Sequence, residues 1–130
     1  MRVTRVCVGH DCGPIINPDG LANQIEGGVI QTVSRTLIEQ VEWDRSKVTS
    51  VDWNTYPILR FPDAPRVEVD MINIPGEVSW GAGEPTPTTI PAAVANAIYD
   101  ATGARMRSVP FTPEKVLAAL KASAGGGVKA

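Results

Sequence analysis

Between Leu21 and Glu39 a large apolar residue returns at every fourth position: Leu21, Ile25, Val29, Val33 and Leu37. Residues four apart lie on one helical face, so the spacing predicts an amphipathic helix with that stripe buried. Asp19 is placed to cap it. Gly27 and Gly28 interrupt the helix, each at a cost of about 1 kcal/mol relative to Ala. Close packing against a neighbouring element would offset that cost, and so would the close approach of a ligand to the helix backbone. The residues alone favour packing.

A period of two replaces the period of four further on. Val67, Val69 and Met71 alternate with Arg66, Glu68 and Asp70, which predicts a strand with one wet face. Arg2 to Val8, rich in Val and Thr, predicts another strand. Val41–Trp43 and Val48–Trp53, joined by Asp44-Arg45-Ser46-Lys47, predict a β-hairpin. Ala92 to Ala101 is a helix almost without charge before Asp100, expected to be buried nearly all round, with Thr89 as cap, Pro91 in its first turn and Gly103 as stop. Arg105–Val109 predicts a short strand. Thr112 caps a last helix opened by Pro113, with Val116, Leu117 and Leu120 on one face. His10 to Asp19 and Pro75 to Pro87 are loops, rich in Gly, Pro, Asn and Asp. The tail 123–130, with Gly125-Gly126-Gly127, is expected to be disordered. Without the regular β/α alternation of a doubly wound sheet, the fold class is α+β.

Composition narrows the function. The length of 130 residues fits one domain or part of one. Lys+Arg 12 against Asp+Glu 14 leaves net −2, which excludes nucleic-acid binding by bulk positive charge. No apolar run reaches the ~18 residues of a membrane span, and Met1–Gly9 lacks the pattern of a signal peptide. Cys7, Cys12 and His10 could make a zinc site only with a carboxylate and at cramped spacing, so both cysteines are expected to be reduced and no metal ligand is assigned. No Gly-x-Ser-x-Gly elbow occurs, nor a Gly-rich phosphate loop ending in Lys-Ser/Thr.

The candidate chemistry lies at Gly81-Ala82-Gly83-Glu84. Glycines on both sides of Ala82 let backbone pass close to a bulky ligand. A carboxylate ending such a loop, just ahead of a buried helix, can be partly desolvated and so suited to general-base work. The nearby helix N-terminus acts in the opposite sense and favours the anion.

An ordered set of motifs adds to this reading: Asp11-Cys12-Gly13, Ile16-Asn17-Pro18, Asn23-Gln24-Ile25-Glu26-Gly27-Gly28 with Gln31, Tyr56-Pro57, Ala64-Pro65, Gly81-Ala82-Gly83-Glu84-Pro85, Ala92 to Ile98, and Pro110-Phe111-Thr112-Pro113-Glu114. Together they resemble the C-terminal portion of the second molybdopterin-binding domain of the molybdenum hydroxylases, the xanthine dehydrogenase/aldehyde oxidase family. The likeness is strongest to the isoquinoline 1-oxidoreductase β-subunit type and spans residues 1–122 as a partial domain. The resemblance implies that Glu84 is the active-site base and that Gln24, Gly81, Ala82 and Gly83 lie against a molybdenum-molybdopterin cofactor, whose metal is held by the pterin's own sulfurs. The implied activity is hydroxylation of an aldehyde or N-heterocycle at an electrophilic carbon, with water as oxygen source. The implied partners are the remainder of the large subunit, an iron-sulfur small subunit and a small-molecule substrate. The family's large subunit is several times longer, so the chain is expected to be a C-terminal fragment or split product, inactive and cofactor-free by itself. The alternative is a non-catalytic truncated remnant that at most associates with related subunits.

Overall fold

A computed structural model describes residues 1–125. The part of the expected disordered tail from 126 to 130 lies outside the described residues. The chain divides into two compact units, one formed by Arg2–Val33 with Leu59–Ile90, the other by Ser34–Ile58 with Pro91 onward, together with Met1. Five main elements follow in order: β1 (Arg5–Asp11), α1 (Pro18–Leu37), β2 (Arg66–Ile72), α2 (Pro85–Thr102) and α3 (Pro113–Gly125). The mixture of helices and one small sheet is the expected α+β class.

In the first unit β1 and β2 run parallel, in register from Arg5 opposite Arg66 to Asp11 opposite Ile72. The strand expected at Arg2–Val8 therefore starts later and reaches through His10 and Asp11, because β2 supplies backbone partners along that length. Val6, Val8 and His10 turn inward while Cys7, Gly9 and Asp11 stay exposed. On β2, Val67, Val69 and Met71 are half-buried as the alternation predicts. Glu68 is half-buried too, with Arg66 Nε 3.2 Å from its carboxylate. Cys12, Leu21 and Ile25 form a buried cluster on which Val8, Ile15, Val69, Met71 and Ala82 pack. Ile25 is fully buried, worth about 1.5–3 kcal/mol for such a side chain.

α1 buries the predicted stripe: Leu21, Ile25, Val29, Val33 and Leu37 are all in the core. Its cap is Asn17 rather than Asp19. The Gly20 N–H donates to Asn17 Oδ1 at 2.9 Å and the Leu21 N–H to Asn17 O at 2.9 Å. Pro18 then holds the first helical position, where its missing N–H costs nothing. Asp19 falls inside the first turn, where its charge suits the helix dipole.

The second unit buries Leu37, Val94, Ile98, Ala104, Met106 and Phe111, with the Phe111 N–H donating to Thr36 O at 2.7 Å. Segment 41–53 forms the expected hairpin only in minimal form: the turn falls at Asp44–Lys47, where Asp44 accepts from the N–H groups of Ser46 and Lys47, and it is flanked by a single antiparallel bridge, Trp43 to Val48, with the Thr49 N–H donating to Glu42 O at 2.8 Å. The second arm stops short because Asp52 accepts from the N–H groups of Asn54 and Thr55 and closes a local turn. Arg105–Val109 is not a strand either. Arg105 reaches Asn96 on α2 at 2.8 Å and lies 3.7 Å from the Tyr99 ring centre, so this stretch is tied to a helix and not to a ladder. α2 buries only one stripe, Ile90, Val94 and Ile98, and leaves Ala93, Asn96 and Ala97 exposed. It lacks charge because its outer face is Ala and Asn, not because that face is covered. Thr112 caps α3 as expected, accepting from the Lys115 N–H at 3.4 Å through Oγ1 and from the Val116 N–H at 3.0 Å through its carbonyl. α3 runs through Gly125, into the stretch expected as tail, and Leu117 on it is exposed.

Candidate cofactor site

All the predicted site residues fall in the first unit. Gln24 stands on α1, exposed, in the second turn after the Asn17 cap. The Gly81–Glu84 turn follows a loop strapped to the end of β1. The Ile15 N–H donates to Asn73 Oδ1 at 2.9 Å, the Ile74 N–H to Gly13 O at 3.1 Å and the Trp80 N–H to Cys12 O at 2.9 Å. Gly13 makes this strap possible. Its φ is +78°, and a Cβ there would run into the Val78 carbonyl. Within the turn Ala82 packs on the core cluster, while Gly81, Gly83 and Glu84 are exposed.

α2 starts earlier than Thr89 and Pro91 implied. Pro85 is its first residue, so Glu84 stands immediately ahead of the helix, with the Thr88 N–H bonded to Glu84 O at 3.2 Å. Pro85 and Pro87 fit because first-turn N–H groups have no partner within the helix. Pro91 thus lies inside the helix. Glu84 meets the positive end of the helix dipole. The partial burial expected for it is not realised, since it is exposed among the described residues.

Two contacts join α1 to this turn. Gln24 Nε2 donates to Gly83 O at 3.3 Å, bridging 59 positions of sequence. One helical turn on, buried Gly28 faces Pro87: a Cβ at Gly28 would lie 3.2 Å from Pro87 Cδ and 3.3 Å from Cγ. Packing therefore accounts for Gly28, as the residues alone favoured. It does not account for Gly27, where a Cβ would meet nothing within 4 Å. A Cβ at Gly81 or Gly83 would likewise meet nothing within 4 Å. The roles of Asn17 and Pro87 escaped the sequence reading. The helix starts at Asn17-Pro18 and Glu84-Pro85 do carry a signal in the sequence, a Pro at each first helical position, whereas the packing of Pro87 on Gly28 leaves none.

Elsewhere in this unit Asp11, Gly13, Ile74, Glu77 and Trp80 line an open groove. His10 is 4% exposed and its Nε2 has no hydrogen-bond partner among the described residues. Cys7 and Cys12 are free thiols. Among the described residues no three His, Cys, Asp or Glu side chains are grouped to hold a metal, and no helix is long and apolar enough to cross a membrane.

Residues 1–65 match the molybdopterin cofactor-binding domain family. The chain belongs to that family, as a partial domain of the molybdenum hydroxylases. A nicotinate dehydrogenase subunit from Pseudomonas putida is 49% identical to this molybdopterin cofactor-binding segment over 120 residues, which are 92% of this chain and 10% of that protein. The beta subunit of isoquinoline 1-oxidoreductase from Brevundimonas diminuta is 32% identical over 123 residues, 95% of this chain and 15% of that one. The crystal structure of quinoline 2-oxidoreductase from Pseudomonas putida 86 matches with a TM-score of 0.81 at 29% identity, covering 92% of this chain and 16% of that chain. The segment therefore spans between 10% and 16% of the length of these relatives. It is a segment of a molybdopterin-binding oxidoreductase family.

The residues present fit such a cofactor. A Cβ at Gly27, Gly81 or Gly83 would meet nothing within 4 Å, and the turn and the helix that carry them are joined by the Gln24 amide. Gln24 Oε1 remains an acceptor for a polar ligand edge, while backbone without side chains admits a bulky ring system.

Proposed function

We propose that this chain supplies the base-carrying segment of a molybdenum hydroxylase that oxidises an aldehyde or N-heterocycle at an electrophilic carbon, with water as the oxygen source. The observation that carries this reading is the Gln24–Gly83 hydrogen bond, which joins two sequence-distant stretches that the family resemblance implies as site elements. Gln24 Oε1 and the backbone of Gly81, Ala82 and Gly83 would hold the molybdenum-molybdopterin cofactor. When bound, that group supplies the two-electron oxidation of the substrate. Glu84 is the general base: a carboxylate oxygen accepts the proton of the water-derived hydroxyl as it attacks the substrate carbon. The Pro85 and Pro87 rings fix the backbone just beyond Glu84.

Large apolar side chains left exposed in both units support a shared site, completed by the remainder of the large subunit and an iron-sulfur small subunit. The same exposure, with that of Glu84 itself, favours a second reading for the chain by itself, a remnant that folds in part and binds no cofactor. One experiment tests the first reading. Glu84→Gln is introduced into the assembled enzyme, and turnover is measured with molybdenum and pterin content counted in the same sample. General-base loss predicts a fall of ~10²–10⁴ in kcat. Turnover within a few-fold of the parent, at equal cofactor content, removes the base assignment.

A further inference from the structure

We propose that α1 positions the Glu84 carboxylate through a two-point clamp, with Gln24 and Gly28 as its positioning residues; the inference rests on the reading of Glu84 as the base. Gln24 and Gly28 are four residues apart and therefore share one face of α1. Gln24 holds the residue just before Glu84, through Nε2 to Gly83 O at 3.3 Å. Gly28 seats the second and third residues after it: a Cβ at Gly28 would stand 3.8 Å from Thr86 Cβ and 3.2 Å from Pro87 Cδ. Glu84 lies between the two fixed points, on backbone that has no side-chain contacts of its own at Gly81 and Gly83.

The second point is stiff for a covalent reason. The Pro87 ring is closed onto its own backbone nitrogen and cannot rotate away. Any atom added at Gly28 pushes the ring, and the ring carries the first turn of α2 with it. The displacement then reaches Glu84, whose carbonyl accepts the Thr88 N–H of that turn at 3.2 Å. A base is sensitive to such a shift, since a misplacement of about 1 Å costs on the order of 10²-fold in rate.

The test uses the assembled holoenzyme. Gly28→Ala requires a shift of a few tenths of an ångström, so kcat should fall roughly tenfold, with KM and cofactor content near the parental values. Pro87→Ala removes the Cγ and Cδ atoms that an added methyl would strike. The pair Gly28→Ala with Pro87→Ala should therefore recover kcat to within about threefold of the parent, because the new methyl fills the space the ring leaves. General destabilisation would not give that rescue. A second readout needs no turnover: hydrogen exchange of the peptide covering residues 82–90, followed by mass spectrometry with and without cofactor. Gln24→Ala and Gly28→Ala should each speed it, and the double variant should restore it. Gln24 is exposed, so Gln24→Ala keeps the test open should Gly28→Ala fail to assemble. Parental kcat and parental exchange in the Gln24 and Gly28 variants, while Glu84→Gln is inactive, overturn the clamp alone. Full activity of Glu84→Gln overturns the base assignment and the catalytic meaning of the clamp with it.

Discussion

Gly13 is held by two constraints at once. Its φ of +78° is a region where a side chain meets the following carbonyl oxygen, and the Val78 carbonyl occupies the place of its Cβ. Gly13→Ala is therefore expected to destabilise the first unit by at least ~1–2 kcal/mol, the cost of the left-handed conformation alone. It should also loosen the 73–80 strap that leads to the candidate site. Chemical denaturation of parent and variant measures the first effect, and hydrogen exchange over 73–80 the second; equal midpoints and equal exchange would remove the constraint. At this scale the sequence was informative wherever chemistry is encoded by residue type. Gly81-Ala82-Gly83-Glu84 stands out by residue type, Gln24 only through the family resemblance, and the structure brings Gln24 to Gly83. It was silent on Gly28 against Pro87, because a contact across 59 positions depends on how two helices meet and leaves no local spacing to read.

Helix α1 was legible along its whole stripe because burial follows the four-residue period directly. Its start was misplaced by two residues, since Asn17 and Asp19 are equally good caps by type and only the bond to the Gly20 N–H decides. Asn17→Ala should cost about 1 kcal/mol of stability, while Asp19→Ala should cost only ~0.3–1 kcal/mol through the helix dipole, most of it screened by salt. Denaturant midpoints at low and high salt separate the two, and a larger, salt-insensitive loss at Asp19 would reverse the assignment. The hairpin expected in 41–53 is cut to a single bridge for a physical reason. Its Val and Trp residues need a sheet face to cover them; Asp44 closes the expected turn, and beyond Val48 Asp52 gives the backbone local partners in place of a ladder. Those partners predict a pH response. The Ser46 N–H, then its hydroxyl and the Lys47 N–H, hold Asp44 below the usual carboxylate range. The Thr55 N–H, then its hydroxyl and the Asn54 N–H, do the same for Asp52. A carboxyl whose folded pKa is depressed contributes stability above its unfolded value and loses it as the pH falls through the folded value. The two turns should hold through the ordinary carboxylate range and open only in more acidic solution. NMR titration of the Ser46, Lys47, Asn54 and Thr55 amides follows this, and midpoints at the ordinary Asp value would refute it.

At the scale of the whole molecule, several large apolar side chains stand in water among the described residues. Phe61 is 96% exposed and Ile16 88% in the first unit, and Trp43 is 71% exposed in the second, with Val51 and Trp53 exposed nearby. Scattered single residues of this kind are ordinary, but Val41, Trp43, Val48, Val51 and Trp53 lie within one short segment. The sheet adds to the problem. β1 and β2 pair only with each other among the described residues, so each strand leaves one edge unpaired, and a two-stranded sheet is marginal by itself. The chain spans between 10% and 16% of three relatives' lengths, and under the proposed function the remainder of a large subunit would cover these surfaces. Two results should follow for the purified 130-residue chain. It should elute from a sizing column as oligomers or aggregate, with tryptophan emission at long wavelength from the exposed indoles. It should carry molybdenum and pterin far below one equivalent, since Gln24 and the Gly81–Glu84 turn offer too few polar contacts to hold a large cofactor. Adding the remaining part of the large subunit should shift the tryptophan emission to shorter wavelength as Trp43 and Trp53 are covered, and should bring cofactor content up together with turnover. A monodisperse monomer with stoichiometric molybdenum would show that the exposed faces need no partner and that these residues suffice to hold the cofactor.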